Sequence, residues 1–347
     1  YSKIGLFKID ISSENMSAQN LNICQVSLVG NIPIIKENYK NFCKFYDKPF
    51  FFIICPNKEF KIFKKNFNLS QIKIIKENSI ISFKEFKKIF VHLSKKINYK
   101  NQLKKRLKWY YQQVLKISFV CDYVKLNKKN MIIWDADTII LNKIDFFNLS
   151  YSMKYGSVFE FHKAYYMTNK GIFGFLPNYF VSSLIQFMAL TPKENSFLLK
   201  NLNKFMRKKD PKTSYWISKI IFKAIFEKHK IYNGSLFSEY ELIGMSKLVY
   251  KNNKQRILIY LRNNLNGRLT NLQTKICKLL KFAHITYEHT YLNKNSRGML
   301  KRNQTWSGFL KILLNRISNF LYRFVKHKLL YYLSLFEKNK KVDFIYR

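Results

Sequence analysis

Acidic residues are scarce in this 347-residue chain, 20 in all, and two of the few Asp residues stand one position apart, at Asp135-Ala136-Asp137. They close an apolar run, Asn130-Met-Ile-Ile-Trp134, and a second run, Thr138-Ile-Ile-Leu141, restarts behind them. Two carboxylates that close raise each other's pKa unless something cationic lies between them. In a chain of net charge +43, a divalent metal carrying a phosphorylated substrate is the economical partner for the pair. The plainer alternative is an Asp pair capping a strand and its turn.

Other candidates flank this pair. Trp109, Gln112, Gln113 and Lys116 fall at i, i+3, i+4 and i+7 of a predicted helix, so one face carries an indole, two amides and an ammonium. That set suits a nucleotide's base and phosphates; a solvated flank is the alternative. Glu239 has Leu236, Leu242 and Ile243 at i−3, i+3 and i+4. A carboxylate on an apolar face is costly without a job or a partner, and burial moves its pKa toward a base's working range. A salt bridge to one of the many lysines explains it equally. In Phe282–Thr290, which alternates like a strand, His289 is a candidate late metal or phosphate ligand beside Glu288.

These residues need a frame. Residues 21–29 read as a strand, 34–46 as a helix, 49–55 as a continuous apolar strand stopped by Pro56, 57–67 as a charged helix, 71–75 as a strand and 83–93 as a helix. That alternation is a βαβ succession with a parallel sheet. Leu103, Leu107, Tyr110, Val114, Ile117, Cys121 and Val124 then step by four and three, one buried helical stripe leading into the Asp strand. Open α/β sheets place ligands outside the carboxyl ends of their strands, where Asp135 and Asp137 stand. Residues 157–162 read as a further strand, and 178–190, 192–207, 214–230 and the segment from Leu236 as helices.

Composition sets outer bounds. The chain is 47% hydrophobic and 17% aromatic, ample for a large globular core. The lysine excess, with abundant Asn, Ile, Phe and Tyr, matches AT-rich coding, and lysines spread through nearly every segment suit solvation better than a specific nucleic-acid face. Cys24, Cys43, Cys55, Cys121 and Cys277 show no C-x-x-C and mostly lie in apolar runs, reading as small hydrophobes in a reducing compartment. Residues 171–192 carry no charge but hold Pro177, Asn178, Ser182, Ser183 and Gln186, which points to buried interior rather than a membrane span. Residues 1–20 read as a leader, 21–295 as the catalytic domain and 296–347 as a basic tail. In the tail Trp306, Leu310, Leu313, Ile317, Phe320 and Phe324 make a helical stripe among Lys311, Arg316, Arg323, Lys326 and Lys328. Such a helix lies in the headgroup plane of an anionic membrane or docks on the domain's own core.

Taken in order, Trp109-Tyr-Tyr-Gln-Gln-Val-Leu-Lys116, Ile132-Ile-Trp-Asp-Ala-Asp-Thr138 and Phe237-Ser-Glu-Tyr-Glu-Leu-Ile-Gly244 resemble a bacterial family of GT-A-type glycosyltransferases found among surface-polysaccharide genes. The resemblance spans roughly residues 20 to 290. It implies an α/β, GT-A-like nucleotide-diphospho-sugar transferase fold, a Rossmann-like mixed sheet flanked by helices, with a C-terminal amphipathic helical tail. It implies Mn²⁺ or Mg²⁺ as cofactor, with Asp137 the direct ligand and Asp135 reaching the metal through water or contacting the ribose. Gln112, Gln113 and Lys116 would lie by the nucleotide, with Glu239 as the base of an inverting reaction; a retaining one would not need it. The implied partners are a nucleotide-sugar donor and a glycan or lipid-linked acceptor, and the implied location is cytoplasmic or peripheral on the cytoplasmic face of the inner membrane. One departure is Val26–Asn31, where such families usually carry a small basic-aromatic motif with an Asp, which implies a weakened or altered donor preference.

Two alternatives remain. A haloacid-dehalogenase-like phosphatase also uses apolar-Asp-X-Asp, but wants Thr or Val where Ile139 stands, and later a lysine and a paired acidic motif, whereas the only later Asp residues are Asp145, Asp210 and Asp343. A basic nucleic-acid-binding protein would concentrate its cations on one face.

Overall fold

The structure is a computed structural model, and it describes residues 21–98, 100–148, 151–157, 162–174, 182–206, 212–229, 234–251, 256–262, 267–287 and 303–336. Its centre is a five-stranded sheet. Strands β1 (Asn22–Val26), β2 (Phe50–Cys55), β3 (Ile72–Lys76) and β4 (Met131–Trp134) run parallel in the order β3-β2-β1-β4, and β9 (Phe187–Leu190) closes the edge antiparallel to β4. Period-2 alternation sorts their side chains onto two faces. Cys24, Val26, Phe52, Ile54, Met131, Ile133 and Met188 face one core; Ile23, Phe51, Ile53, Ile132, Trp134 and Phe187 face the other.

Helices cover both faces, as a parallel sheet requires. On the second face lies α1 (Ile32–Phe45), whose Phe42 ring meets Phe51, Trp134 and Phe146. Helix α2 (Phe60–Asn66) follows β2. On the first face are α3 (Phe83–Leu93), the short α4 (Lys100–Lys105) and the 21-residue α5 (Leu107–Asn127). Ser82 and Glu85 form a capping box that starts α3. Every member of the predicted stripe from Leu103 to Val124 is buried, and α5 also buries Tyr111, Leu115, Ser118 and Val120 because helices pack on it from several sides.

Past the Asp residues, β5 (Thr138–Ile140) leaves the main sheet for a three-stranded one, β11-β12-β5, built with β11 (Leu261–Arg262) and β12 (His284–Thr286). The outer edge of β5 is satisfied by α1: the Ile140 N–H donates to Asn38 Oδ1 at 2.9 Å and Asn41 Nδ2 donates to the Ile140 carbonyl at 3.0 Å. Two small ladders, β6 (Phe147–Asn148) with β7 (Tyr151–Ser152) and β8 (Tyr155–Gly156) with β10 (Arg256–Ile257), join the periphery. The remaining helices are α6 (Lys163–Phe173), α7 (Pro192–Met206), α8 (Thr213–Lys228), α9 (Glu239–Lys251), α10 (Asn271–Leu279) and α11 (Trp306–Phe336).

The sequence reading and the structure part company at two places. The helix expected over 178–190 is strand β9 in its last four residues, with residues 175–181 outside the described set. An apolar run covered on both faces has no diagnostic period, so strand and helix read alike. Of the strand expected at 157–162, Ser157 forms an antiparallel bridge to Ser182, His162 opens α6, and 158–161 lie outside the described residues. The leader 1–20 also lies outside them. The uncharged stretch at 182–190 is wholly buried, and no described helix is long and apolar enough to cross a membrane. Four cysteines are buried and Cys43 is exposed.

Phe42 is fully buried among four rings, so Phe42→Ala removes packing of α1 on the main sheet and on Phe146. Denaturant titration should show a loss of about 3–5 kcal/mol with an unchanged denaturant slope.

Candidate functional site

Odd-numbered residues of β4 face α5, so the strand's alternation carries Asp135, the first residue past its carboxyl end, toward that helix. Helix α5 answers with a ladder at i, i+3 and i+6. Tyr110 Oη accepts from the Leu236 N–H at 3.1 Å, Gln113 Oε1 accepts from the Glu239 N–H at 3.2 Å, and Lys116 reaches the acids. Lys116 Nζ donates to Asp135 Oδ1 at 2.5 Å and to Glu239 Oε1 at 2.8 Å. Its third direction meets Tyr240 Oη at 3.5 Å. Tyr240 in turn donates to Asp135 Oδ1 at 2.6 Å, and the ammonium stands 5.1 Å from the Tyr240 ring centroid.

Lys116 and Glu239 are almost sealed from solvent, at 4% and 3% exposure, whereas the Asp135 side chain keeps 23%. Burial works to discharge Lys116, but Asp135 and then Glu239 outweigh it and hold the ammonium above the ordinary lysine range. Burial pushes the Glu239 carboxyl up; Lys116 pulls it back and Asp135 adds to the rise. The Tyr240 hydroxyl is raised well above its usual value by burial and then by Asp135, so it stays a donor.

The main chain between the two Asp residues is a tight turn. The Thr138 N–H donates to the Asp135 carbonyl at 3.1 Å, and Trp134 Nε1 donates to the Thr138 carbonyl at 2.9 Å. The Asp135 N–H donates to the carbonyl of Gln186, which holds a left-handed φ of 61°. The Asp137 carbonyl accepts from the Tyr287 N–H at 2.8 Å, and its side chain is half-buried with Thr138 Oγ1 at 3.4 Å from Oδ1. Asp137 thus stands on the seam between the two sheets. Among the described residues Asp135 Oδ2 accepts no hydrogen bond, and the Asp135 and Glu239 carboxyl groups share the one Lys116 ammonium.

The structure therefore brings together Asp135, Asp137, Lys116, Gln113 and Glu239. Lys116 spends its donors on protein oxygens instead of presenting them to an anion, and Glu239 lies beneath it instead of on an open surface. Gln112 is half-buried on the same helix. Trp109 packs on the core, stacked against Tyr165 with centroids 6.3 Å apart, so that side of the indole is taken. His289 lies outside the described residues. No group of three or more His, Cys, Asp and Glu among the described residues surrounds a common point. A hollow of about 520 Å³ lined by Tyr39, Cys43, Tyr46 and Gln71 opens at the opposite, amino-terminal end of the strands and has no part in this cluster.

Sequence reasoning missed Tyr240 as a partner of Asp135, although it follows Glu239 directly, and missed Gln186, which nothing in an apolar run marks. It also missed why Gly244 is Gly: a Cβ there would collide with Ser183 Oγ, so α9 packs on the 182–188 segment through bare backbone. Glu241 ties the same surfaces, accepting from Ser182 Oγ, from the Ser183 N–H at 3.0 Å and from Tyr166 Oη at 3.5 Å.

A family model described as a family of unknown function, DUF6492, matches residues 26–225, a span that includes Lys116 and both Asp residues and ends before Glu239. A solved structure titled "PaToxG Glycosyltransferase" is similar over 60% of this chain and 69% of its own, at 13% identity and a TM-score of 0.29. Mouse xyloside xylosyltransferase 1, in its apo form, is similar over 82% of this chain and 94% of its own, at 8% identity and a TM-score of 0.37. Overlap at that level leaves the chemistry to be read from the site. No curated protein matches the sequence.

Two outcomes follow from the buried network. Lys116→Met strands a buried carboxylate and should cost about 3–5 kcal/mol in urea titration, and adding Glu239→Gln should recover part of the loss. Burial pushes Glu241 up to about 7 from 4.5, against the pull of its hydroxyl and amide donors. The native state thus keeps a proton that the unfolded chain has released, so this contribution is full below about pH 4.5 and fades as pH rises through 7. Glu241→Gln should flatten that slope in melting curves taken from pH 5 to 8.

Proposed function

The chain belongs to the DUF6492 family of unknown function, and from the geometry of the acid turn we propose that it is a metal-dependent glycosyltransferase with a GT-A-like architecture. It would move a sugar from a nucleotide-sugar donor to a glycan or lipid-linked acceptor in surface polysaccharide biosynthesis. The observation that carries the reading is a pair of carboxylates at the carboxyl end of β4, the last parallel strand before antiparallel β9, one fixed and one at the seam of two sheets.

The donor set fits a hard divalent cation. Mg²⁺ and Mn²⁺ take carboxylate oxygens, and Mg²⁺ in particular is held by one or two carboxylates with substrate phosphates and water completing the shell. Asp137 and the Oδ2 atom of Asp135 are the oxygens this chain would supply. When bound, the cation neutralises the charge that builds on a departing nucleoside diphosphate.

The other residues hold this arrangement. Lys116 and Tyr240 hold Asp135 by the same oxygen, which leaves Oδ2 for a ligand. Glu239 anchors Lys116 from below, which gives it the role of a positioning residue for the lysine. Gln113 sets the start of α9.

A screen of nucleotide sugars, reading released nucleoside diphosphate with Mn²⁺ and with EDTA, tests the reading. Turnover should require the metal, and Asp137→Asn should lower it on the order of a hundredfold or more, while Asp47→Asn, at an exposed site, leaves it unchanged. Full metal-dependent turnover by the Asp137 variant would sink the assignment.

A further inference from the structure

The face of α11 that points away from the domain is not accounted for by the fold. Its inner edge is engaged: Phe309 and Leu313 are buried in the cluster of Ile139, Leu141, Ile285 and Tyr287, and Arg316 Nη2 donates to the Arg262 carbonyl. A second row, Leu310, Leu314, Ile317, Leu321 and Val325, steps by four, three, four and four, which keeps it on one side of the helix. These five side chains are 41–65% exposed, and Trp306 at the start of the row is 45% exposed. A continuous apolar strip of this length is uncommon on a soluble surface and marks an interaction site.

Charge selects the occupant. From Trp306 to Phe336 the sequence of the helix has no acidic residue and five basic ones, Lys311, Arg316, Arg323, Lys326 and Lys328. Pairing two copies through the strip would set two such helices side by side, inside the roughly 8 Å over which charges are felt at physiological salt. Arg316 is spent on the Arg262 carbonyl, whereas Lys311 stands exposed beside the row, and an anionic lipid surface takes up the row and this lysine together. At 1.5 Å per residue the helix is about 46 Å long, yet no described helix has the apolar length to cross a bilayer, which leaves it lying in the plane of the surface.

We propose that α11 docks the protein on an anionic membrane through Trp306, Leu310, Leu314, Ile317, Leu321 and Val325. The cluster that fixes the helix is built on β5, which starts directly after Asp137. Docking would therefore hold the acid turn near the lipid surface and, resting on the transferase reading above, gives the acceptor class as a lipid-linked one.

The test is flotation of the full chain with vesicles of phosphatidylcholine alone and of phosphatidylcholine with phosphatidylglycerol, at low and high salt. Binding should need the anionic lipid, weaken with salt, and shift Trp emission to the blue in a manner lost in Trp306→Phe. Lys311→Gln should lower the partition coefficient roughly fivefold, and the double variant Leu314→Gln with Leu321→Gln should abolish binding without moving the melting temperature. Absence of binding to the anionic vesicles, or binding that survives the double variant, overturns the proposal. So does a dimer in sedimentation equilibrium that the double variant breaks, which would assign the strip to a second copy. Turnover on a soluble acceptor is read separately: its loss with vesicle binding intact removes the transferase reading and leaves the docking surface standing.

Discussion

A protonated lysine sealed between two carboxylates is the contact on which the acid turn depends. Taking Lys116 and Glu239 out of water costs several kcal/mol for each ion, and the contacts at 2.5 and 2.8 Å, with Tyr240 holding Asp135 in place, offset it. Those contacts exist because three independent backbones converge. The alternation of β4 sends Asp135 toward α5, the three-residue step of α5 aligns Tyr110, Gln113 and Lys116, and the start of α9 is tied to the first two of these. A shift of one residue in the register of β4 against β1 would turn Asp135 to the other face of the sheet and leave the lysine without its partner.

The same network divides labour between the two Asp residues. Asp135 receives two donors on one oxygen and a backbone tie to Gln186, so its carboxylate is fixed before any ligand arrives. Asp137 is positioned by its main chain, through Tyr287, while its side chain remains half-buried at the seam. The sheet that β5 enters is held from outside by Asn38 and Asn41 and across the ladder by the Thr138 and Thr286 hydroxyls, 2.9 Å apart, so the seam itself is stiff.

Much of this frame was legible because its periodicities are strong. The strand at 72–76, the helix at 83–93 and the stripe from Leu103 to Val124 follow from spacing, and the apolar run at 50–55 is marked by its length and by Pro56. What spacing cannot convey is which of two equal roles a polar residue takes. Lys116 on its face of α5 could equally meet an anion or a carboxylate, and Glu239 could equally be a base or a salt-bridge partner; that the two meet follows only from the packing of α5 with α9, far apart in sequence. Trp109 reads as an open platform until α6 brings Tyr165 against it. Strand β9 was illegible for a different reason, since a strand buried on both sides shows no alternation to read.

The placement of β9 shows how closely the site depends on its neighbours. This strand runs against β4, and the bend before it puts the Gln186 carbonyl where the Asp135 N–H needs an acceptor. The bend requires a left-handed backbone at a non-glycine residue, a conformation costing of order 1–3 kcal/mol that persists only where the surroundings over-determine it. Here they do: Glu241 holds Ser182 and Ser183 on one side, and Gly244 lets α9 approach Ser183 without a side chain between them. Helix α9 thus acts on both carboxyl-bearing ends of the cluster, supplying Glu239 and Tyr240 directly and fixing, through Ser183 and Gln186, the backbone from which Asp135 projects.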